Sequence, residues 1–268
     1  MCTVVLDFDP GSRVPVLLIG VRDEQLDRPW VGPGPHWPQW PDLVGGQDLL
    51  AGGTWLAVDP GAPRAVCVLN GHGRHAPEET RLSRGELPLR YAARAAESEL
   101  DPELSQVVEV ERYDPFHLVC VTPDSARIWS WDGERLTGRV LAPGLHFVVN
   151  CGLEGADPGA EGPGAQQMHA RIAHFRPLLA AADRPEPLAG TVAEVWGGWL
   201  ALADGAGLAF EDPRALLVRA EFGGRLAGSS SVSLVALSRD RARYDFRAVR
   251  EEADGWTTVL DAARPTIR

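Results

Sequence analysis

The stretch MCTVVLDFDPGSRVPVLLIGVRDE, residues 1–24, decides the fold. Two of its segments, residues 2–8 and 16–21, are rich in β-branched and apolar residues, which favour strands. Residues 9–12 between them read DPGS, a turn sequence in which proline presets φ and glycine tolerates positive φ. We therefore predict a hairpin whose second strand ends where RDE begins, at residues 22–24.

Apolar runs and turn signals predict the elements of the remaining chain. Strands are predicted at residues 54–58, 65–70, 116–122, 127–131, 135–141, 146–150, 216–222, 231–237, 244–249 and 256–260. Helices are predicted at residues 86–100, 166–182 with a kink or break at Pro177, 188–203, and in a short piece starting at Asp101 and Pro102. Proline-rich residues 29–53 are predicted to be an ordered irregular loop, and residues 152–164 a mobile one. Blocks of strands and blocks of helices favour an α+β fold with largely antiparallel sheets, in a single domain over residues 1–268.

The composition excludes several kinds of chemistry. All 26 positively charged residues among the 268 are arginine, and the chain contains no lysine. Schiff-base lysine chemistry and a P-loop nucleotide site are therefore excluded, because both need a lysine. A net charge of −11 disfavours nucleic acid and anionic membranes as partners, since both attract basic surfaces.

The sequence also bears on location and on metal binding. No apolar run approaches the roughly 20 residues that span a bilayer, and acidic residues stand where a signal peptide carries positive charge. We therefore expect a cytoplasmic protein without integral membrane association. The four cysteines show neither CxxC spacing nor a cysteine–histidine cluster typical of zinc. No metal site is predicted, and the oligomeric state is left open.

Cys2 is the first candidate for chemistry. Removal of Met1 would give it a free α-amine, whose pKa near 8 allows it to act as a general base for its own thiol. In a hairpin, Arg22 and Asp23 lie across from the start of the chain. Arginine there would favour a thiolate, and aspartate could hold the α-amine. The alternative is that Cys2 has no role and that residues 22–24 form a solvated turn.

The joint pattern resembles the NRDE family, also called the transport and Golgi organisation protein 2 family. The resemblance rests on Met-Cys at the start, Arg-Asp-Glu after a strand, and then a series of short motifs. These motifs are Arg28-Pro29, Trp37-Pro38, Gly45-Gly46-Gln47-Asp48, Gly52-Gly53-Thr54-Trp55-Leu56, Leu69-Asn70 and His146-Phe147-Val148-Val149-Asn150. The similarity covers nearly the whole chain and is most specific over its first 70 residues.

The resemblance implies a four-layer αββα sandwich of the N-terminal-nucleophile (Ntn) hydrolase type. Cys2 would be nucleophile and base together, and Arg22 and Asp23 would support it. Asn70 and Asn150 would bind the developing oxyanion, which an amide N–H₂ group can stabilise by a few kcal/mol. The implied reaction is hydrolysis of a non-peptide acyl-amide through a thioester, with no cofactor required. For each asparagine the alternative is a strand-end residue that bonds its own backbone.

Three departures from the family pattern bear on substrate and activity rather than on fold. Val21 stands where the family has asparagine before Arg-Asp-Glu. Near the C-terminus, Gly228-Ser229-Ser230-Ser231 falls where the family has Gly-Thr-Arg-Ser, so Ser230 replaces arginine. The Trp-Pro-Lys stretch that in the family usually follows the asparagine corresponding to Asn150 is missing, and residues 152–164 take its place.

The alternative function is binding without catalysis, since eukaryotic members of the family are linked to haem trafficking and to acyl-CoA or lipid homeostasis. A cleft lined by Trp30, Trp37, Trp40 and Trp55 could hold a flat or long apolar ligand, although packing is the commoner role of tryptophan. His36, beside Trp37, is the candidate axial ligand of haem. Two histidine pairs, His72 with His75 and His169 with His174, have no third ligand nearby and are interpreted as surface residues rather than metal or haem ligands.

Overall fold

The computed structural model of the protein describes residues 3–96, 102–156, 163–222, 224–249 and 255–263. The predicted first hairpin is present: β1 (Thr3–Phe8) pairs antiparallel with β2 (Val16–Gln25). The predicted end of the second strand at Val21 is wrong, because β2 continues through Gln25 while pairing along its other edge with a strand from the C-terminal part. Residues 22–24 are therefore strand residues. Cys2, the predicted first residue of the hairpin, lies outside the described residues.

The larger sheet joins the two ends of the chain. Besides β1 and β2 it contains β10 (Gly144–Val149), β11 (Gly152–Leu153), β12 (Arg219–Phe222), β13 (Arg225–Leu237), β14 (Arg241–Ala248) and β15 (Thr257–Ala263). The strand order is β11-β10-β1-β2-β13-β14-β15, with β12 paired to β13, and every pairing is antiparallel. The predicted strand at residues 231–237 is thus the second half of a longer one.

The second sheet is an antiparallel meander. It runs β5-β6-β7-β8-β9, with strands β5 (Leu56–Asp59), β6 (Arg64–Asn70), β7 (Phe116–Val121), β8 (Ala126–Trp131) and β9 (Leu136–Val140). The predicted irregular loop at residues 29–53 contains a small two-stranded sheet, β3 (Trp30–Gly34) and β4 (Gly45–Asp48). Its pairing is irregular between Val31 and Gly34, where Pro33 cannot donate a ladder hydrogen bond.

The helices cover the outer faces of the two sheets. They are α1 (Leu87–Ala96), α2 (Leu104–Val107), α3 (Pro163–Ala181), α4 (Val192–Trp196) and α5 (Gly198–Ala203). Helix α3 runs through Pro177 without a break. The predicted helix at residues 188–203 begins only at Val192, where Thr191 and Glu194 form a capping box. It divides at Gly197, whose φ of 50° interrupts the helix.

Three apolar cores separate four layers. One core lies between the sheets and contains Leu18 and Val119; a second lies between the larger sheet and the later helices and contains Ile19 and Phe175. The third lies between the second sheet and α1 and contains Leu118 and Leu89. The order of layers is therefore helices, sheet, sheet, helices, which confirms the predicted α+β sandwich with largely antiparallel sheets. No helix of the described ranges is both long and apolar enough to cross a bilayer.

Candidate active site

A polar cavity of about 440 Å³ opens where β2 and β6 end. Its walls include residues of both sheets and of the segment before α1. Those used below are Arg22, Asp23, Asp48, Trp55, Asn70 and Gly85. The cavity therefore contains three of the predicted site residues, Arg22, Asp23 and Asn70, together with the predicted ligand-binding residue Trp55.

A β-bulge shapes this end of the larger sheet. Arg22 lies opposite Ser231 and Asp23 lies opposite Ser229, so that Ser230 is the extra residue on β13. The Ser230 hydroxyl accepts a hydrogen bond from Arg22 Nη1 and donates one to the Arg22 carbonyl, both at 3.1 Å. Bulges re-aim side chains next to functional sites, and this one places a serine hydroxyl against the guanidinium.

Arg22 and Asp23 point to opposite faces of the larger sheet. Side chains alternate along a strand, and Leu18 lies in the core between the sheets whereas Ile19 faces the helices. Arg22 accordingly faces the second sheet, where its guanidinium stacks over Trp55 with 4.5 Å between the Cζ atom and the ring centroid. Asp23 faces α3. If Arg22 and Asp23 act on the same residue, they therefore contact it from opposite faces of the sheet.

Asp48 fixes the Arg22 guanidinium. Its Oδ2 accepts from Arg22 Nη2 at 3.0 Å and from Arg28 Nε at 2.5 Å, and its Oδ1 accepts from Arg28 Nη2 at 3.0 Å. The same Oδ1 accepts from the backbone N–H groups of Leu50 and Ala51. Burial by itself would raise the pKa of Asp48, but the Arg28 and Ala51 hydrogen bonds and the two arginine charges hold that pKa below its ordinary value.

Asp23 is held on the helix side of the sheet. Its Oδ1 accepts from the Ser229 hydroxyl at 2.6 Å, and its Oδ2 lies 3.8 Å from Arg171 Nη1, on α3. Arg171 also donates to the Thr3 hydroxyl at 2.5 Å and to the Ala215 carbonyl at 2.8 Å. Burial raises the pKa of Asp23, although the Arg171 charge and the Ser229 hydrogen bond oppose that rise.

The two predicted asparagines come together at the ends of their strands. The Asn150 side chain donates from Nδ2 to the Asn70 carbonyl at 2.9 Å and so ties β10 to β6 across the two sheets. The Asn70 side chain is exposed and lines the cavity, whereas Asn150 is buried. Asn70 is thus open to a ligand, and the Asn150 amide N–H serves to link the two sheets.

A buried histidine supports Asn150 from the second sheet. His117 Nε2 lies 3.2 Å from the Asn150 carbonyl oxygen, and Nδ1 lies 2.8 Å from the Ser130 hydroxyl. Burial lowers the pKa of His117 to about 4, with a smaller effect of His72 in the same direction, against the hydrogen bond to Asn150. The imidazole is therefore neutral near pH 7 and acts as a hydrogen-bonding link between the sheets.

The predicted tryptophan cleft is divided among different surroundings. Trp55 lines the cavity, and Trp30 packs edge-on against it with 5.9 Å between the ring centroids. Trp37 is buried against the layer of α1 and donates to the Gly52 carbonyl at 2.8 Å, while Trp40 packs at the margin of the same core. His36 is half-buried, and its Nε2 lies 2.7 Å from the Gly32 carbonyl oxygen.

The opposite wall of the cavity rests on a close backbone contact. The Gly85 carbonyl accepts from the Thr54 N–H at 2.8 Å. A Cβ atom on Gly53 would lie 2.4 Å from the Gly85 carbonyl carbon, so glycine is required for this approach. Arg84 Nη1 donates to the Pro115 carbonyl at 2.8 Å, and Arg81 Nε lies 3.3 Å from Asp114 Oδ1. The wall is thereby tied to the start of β7.

Several site residues had no role assigned from the sequence. Arg28 and Asp48 belong to the short motifs that carry the resemblance, and their opposite charges are the one signal that could have paired them. Ser230 was identified only as a departure from the family pattern. His117 and Arg171 gave no signal, because neither their burial nor their partners can be read from spacing.

These features define a class: an αββα protein with a polar, arginine-containing cavity where its two sheets open. The family model described as Transport and Golgi organisation 2 matches residues 1–182, and the chain belongs to this family. The comparison with curated proteins gives no match. The matched range includes the predicted site residues from Cys2 to Asn150, whereas Ser229 and Ser230 lie beyond it.

Proposed function

We propose that this protein is an amidohydrolase of the N-terminal-nucleophile type, in which Cys2 attacks a non-peptide acyl-amide after removal of Met1. The observation that supports the proposal is the position of Thr3. It pairs with Val21 on β2 and with Val149, the last residue of β10, and the residues that follow these two in the chain are Arg22 and Asn150. Strand β1 therefore starts beside the cavity, and Cys2 is the residue bonded to that start.

Arg22 and Asp23 lie on opposite faces of the sheet. This placement suits an amino-terminal cysteine, which has two groups to be stabilised, its thiol and its α-amine. On β1, Val4 lies in the core between the sheets, on the same face of the larger sheet as Arg22. The Arg22 charge would favour the thiolate. Asp23 lies on the other face, where its carboxylate would hold the α-ammonium group. A nucleophile and its own base can thus be served from opposite sides of one strand.

The proposed reaction has two steps. The thiolate sulfur forms a bond to the amide carbonyl carbon, and the α-ammonium group gives a proton to the leaving nitrogen as the C–N bond breaks. An amine leaves and a thioester remains. The α-amine then takes a proton from water, whose oxygen attacks the thioester carbonyl, and the C–S bond breaks to give a carboxylic acid and the starting thiolate. No cofactor takes part.

The proposed oxyanion ligand is the Asn70 side chain, which lines the cavity. An amide donor that meets the developing charge contributes about 3–4 kcal/mol to transition-state stabilisation. Asn150 would also fix the Asn70 backbone through its 2.9 Å hydrogen bond.

The proposal is tested by mass spectrometry and turnover on the full chain. Intact mass should show loss of Met1, and iodoacetamide at neutral pH should label Cys2 faster than the half-buried Cys151. Hydrolysis of a panel of N-acyl amides should disappear in Cys2→Ala and persist in the matched variant Cys151→Ala. Retention of Met1, or equal labelling of the two thiols, contradicts the proposal. Micromolar binding of haem or acyl-CoA that survives Cys2→Ala, without turnover, would favour carriage instead.

A further inference from the structure

A second, smaller cavity lies between the two sheets, directly next to the polar one. It measures about 20 Å³, and it shares Arg22, Trp55 and Val68 with the polar cavity. Close-packed cores contain few such voids, so its position beside the candidate active site calls for an explanation. A space slightly above the roughly 10–15 Å³ needed by one water molecule matches a methyl group in size.

The chemistry of the walls favours an apolar occupant. The side chains around the small cavity come largely from the core between the sheets, including Val4, Leu18, Leu56 and Leu69. A buried water needs two to four polar partners, and these walls offer few. The Ser233 hydroxyl, on the same wall, is 2.9 Å from the Tyr244 hydroxyl and is thus already engaged.

Two small residues keep the space open. Gly20 on β2 lies opposite Ser233 on β13, and both line the cavity. A Cβ atom at Gly20 would make only ordinary contacts, 3.5 Å from Leu18 Cδ2 and 3.8 Å from Ser233 Cβ. Alanine therefore fits at position 20 without displacing a neighbour, and its methyl group would occupy part of the cavity.

The indole of Trp55 marks the boundary between the two cavities. Its Nε1–H is buried and has no hydrogen-bond acceptor among the described residues. Buried donors are nearly always bonded, so a ligand oxygen at this boundary would complete the site. An acyl group has the matching shape, with an oxygen at one end and an apolar tail at the other.

We propose that the small cavity binds the tail of the acyl group and restricts substrates to short, unbranched acyl groups, on the order of two to four carbons. The kinetic part of this inference, the preference for short acyl groups in turnover, rests on the proposed function. The binding of a short carboxylate to the cavity does not, because it requires no reaction at Cys2.

The kinetic test uses 4-nitrophenyl esters from acetate to octanoate. A thiolate forms a thioester to the acyl carbon and releases 4-nitrophenolate, which is followed by absorbance, while intact mass identifies the acyl-enzyme. Wild-type protein should prefer acetate to butyrate over octanoate. Gly20→Ala should lower the butyrate-to-acetate rate ratio by about tenfold or more, as expected for one methylene group in an apolar pocket. Cys67→Ala, which enlarges the same cavity, should raise that ratio.

The matched control is Gly32→Ala, since Gly32 also lies in a strand and a Cβ there meets nothing within 4 Å. It should leave the ratio unchanged. Butyrate binding followed by NMR supplies the second measurement: wild type should bind it, and Gly20→Ala should bind it at least about tenfold more weakly. If no ester acylates the protein but butyrate binding depends on Gly20, the proposed function fails and the cavity assignment stands. An unchanged ester ratio together with unchanged butyrate binding in Gly20→Ala overturns the assignment and leaves a packing defect.

Discussion

The Ser230 hydroxyl and Arg22 are bonded to each other twice, through the guanidinium Nη1 and through the carbonyl oxygen, at 3.1 Å in both cases. Because Ser230 is the extra residue of a β-bulge, this double contact depends on the irregular pairing of β13 with β2. Ser230, which stands where the family pattern has arginine, thus positions Arg22 through these hydrogen bonds.

Ser230→Ala is expected to lower the free energy of unfolding by about 1–3 kcal/mol, since it removes hydrogen bonds to a buried charged group. Urea unfolding of the two proteins measures the difference. Ser231→Ala is the matched control: the Ser231 hydroxyl is buried, and it has no hydrogen-bond partner among the described residues. That control should be neutral or stabilising, and equal losses in both variants would contradict the assigned role of Ser230.

Asp48→Asn should destabilise the protein by about 2–4 kcal/mol, because the buried Arg22 would lose its 3.0 Å ion pair with Asp48 and Arg28 would lose a bidentate one. The asparagine oxygen can still accept from the Leu50 and Ala51 N–H groups, so the turn itself is preserved. Chemical denaturation gives the measurement, with Glu24→Gln as the control.

Glu24 lies 3.8 Å from both arginines, and its side chain is 31% exposed. A partly exposed pair at that distance contributes about 0–1 kcal/mol, so Glu24→Gln should have little effect. A loss in Glu24→Gln as large as in Asp48→Asn would show that the site needs only a diffuse negative charge.

Gly53→Ala should destabilise the cavity wall by about 1–3 kcal/mol, the usual effect of overpacking, because its Cβ would overlap the Gly85 backbone. The segment that carries Gly85 lines the cavity just before α1. Because the substitution would displace this wall, it should also slow the labelling of Cys2 by iodoacetamide. Gly32→Ala again controls for the change from glycine to alanine in an open position, where about 0.5 kcal/mol or less is expected. A Gly53→Ala protein as stable as Gly32→Ala would disprove the close contact.

The first hairpin and the α+β class could be predicted because their signals are local or periodic, whereas the four layers were implied only by the family resemblance. Strands β1 and β2 follow from apolar and β-branched runs, and the turn between them from Pro10 and Gly11. The predicted end of the second strand was wrong for a non-local reason: β2 extends beyond Val21 because β13, some 200 residues away, continues to pair with Arg22, Asp23 and Glu24. A charged Arg-Asp-Glu run has low strand propensity, and tertiary pairing overrides it.

Part of the site could also be predicted, because some of its residues are close together in the sequence. Arg22 and Asp23 are neighbours in the sequence, and the hairpin brings them to the end of the sheet at which β1 starts. Their division between two faces follows from strand alternation, but only once the residues are known to be in a strand. The ties of Asn150 to Asn70 and to His117 join separate sheets, and no spacing in the sequence encodes the distance between sheets.

His117 makes the stability of the protein depend on pH in a defined window. Its pKa is about 4 in the folded protein against 6.5 when unperturbed, because burial disfavours the charged imidazolium. Between these values the unfolded chain binds more protons than the folded one. Stability contributed by neutral His117 is therefore present above pH 6.5 and is lost as the pH falls toward 4, by about 3 kcal/mol in all.

His117→Gln is expected to flatten this pH dependence, since glutamine cannot take up the proton yet can still donate to the Asn150 carbonyl. The free energy of unfolding, measured at intervals from pH 4 to 7.5, should differ between wild type and variant by an amount that changes with pH across this window. The exposed His169, replaced by glutamine in the same way, controls for the loss of a histidine. Parallel curves for wild type and His117→Gln would mean that His117 is accessible to protons in the folded state. The link from Ser130 through His117 to Asn150 would then be too weak to fix the strand end that carries the candidate oxyanion ligand.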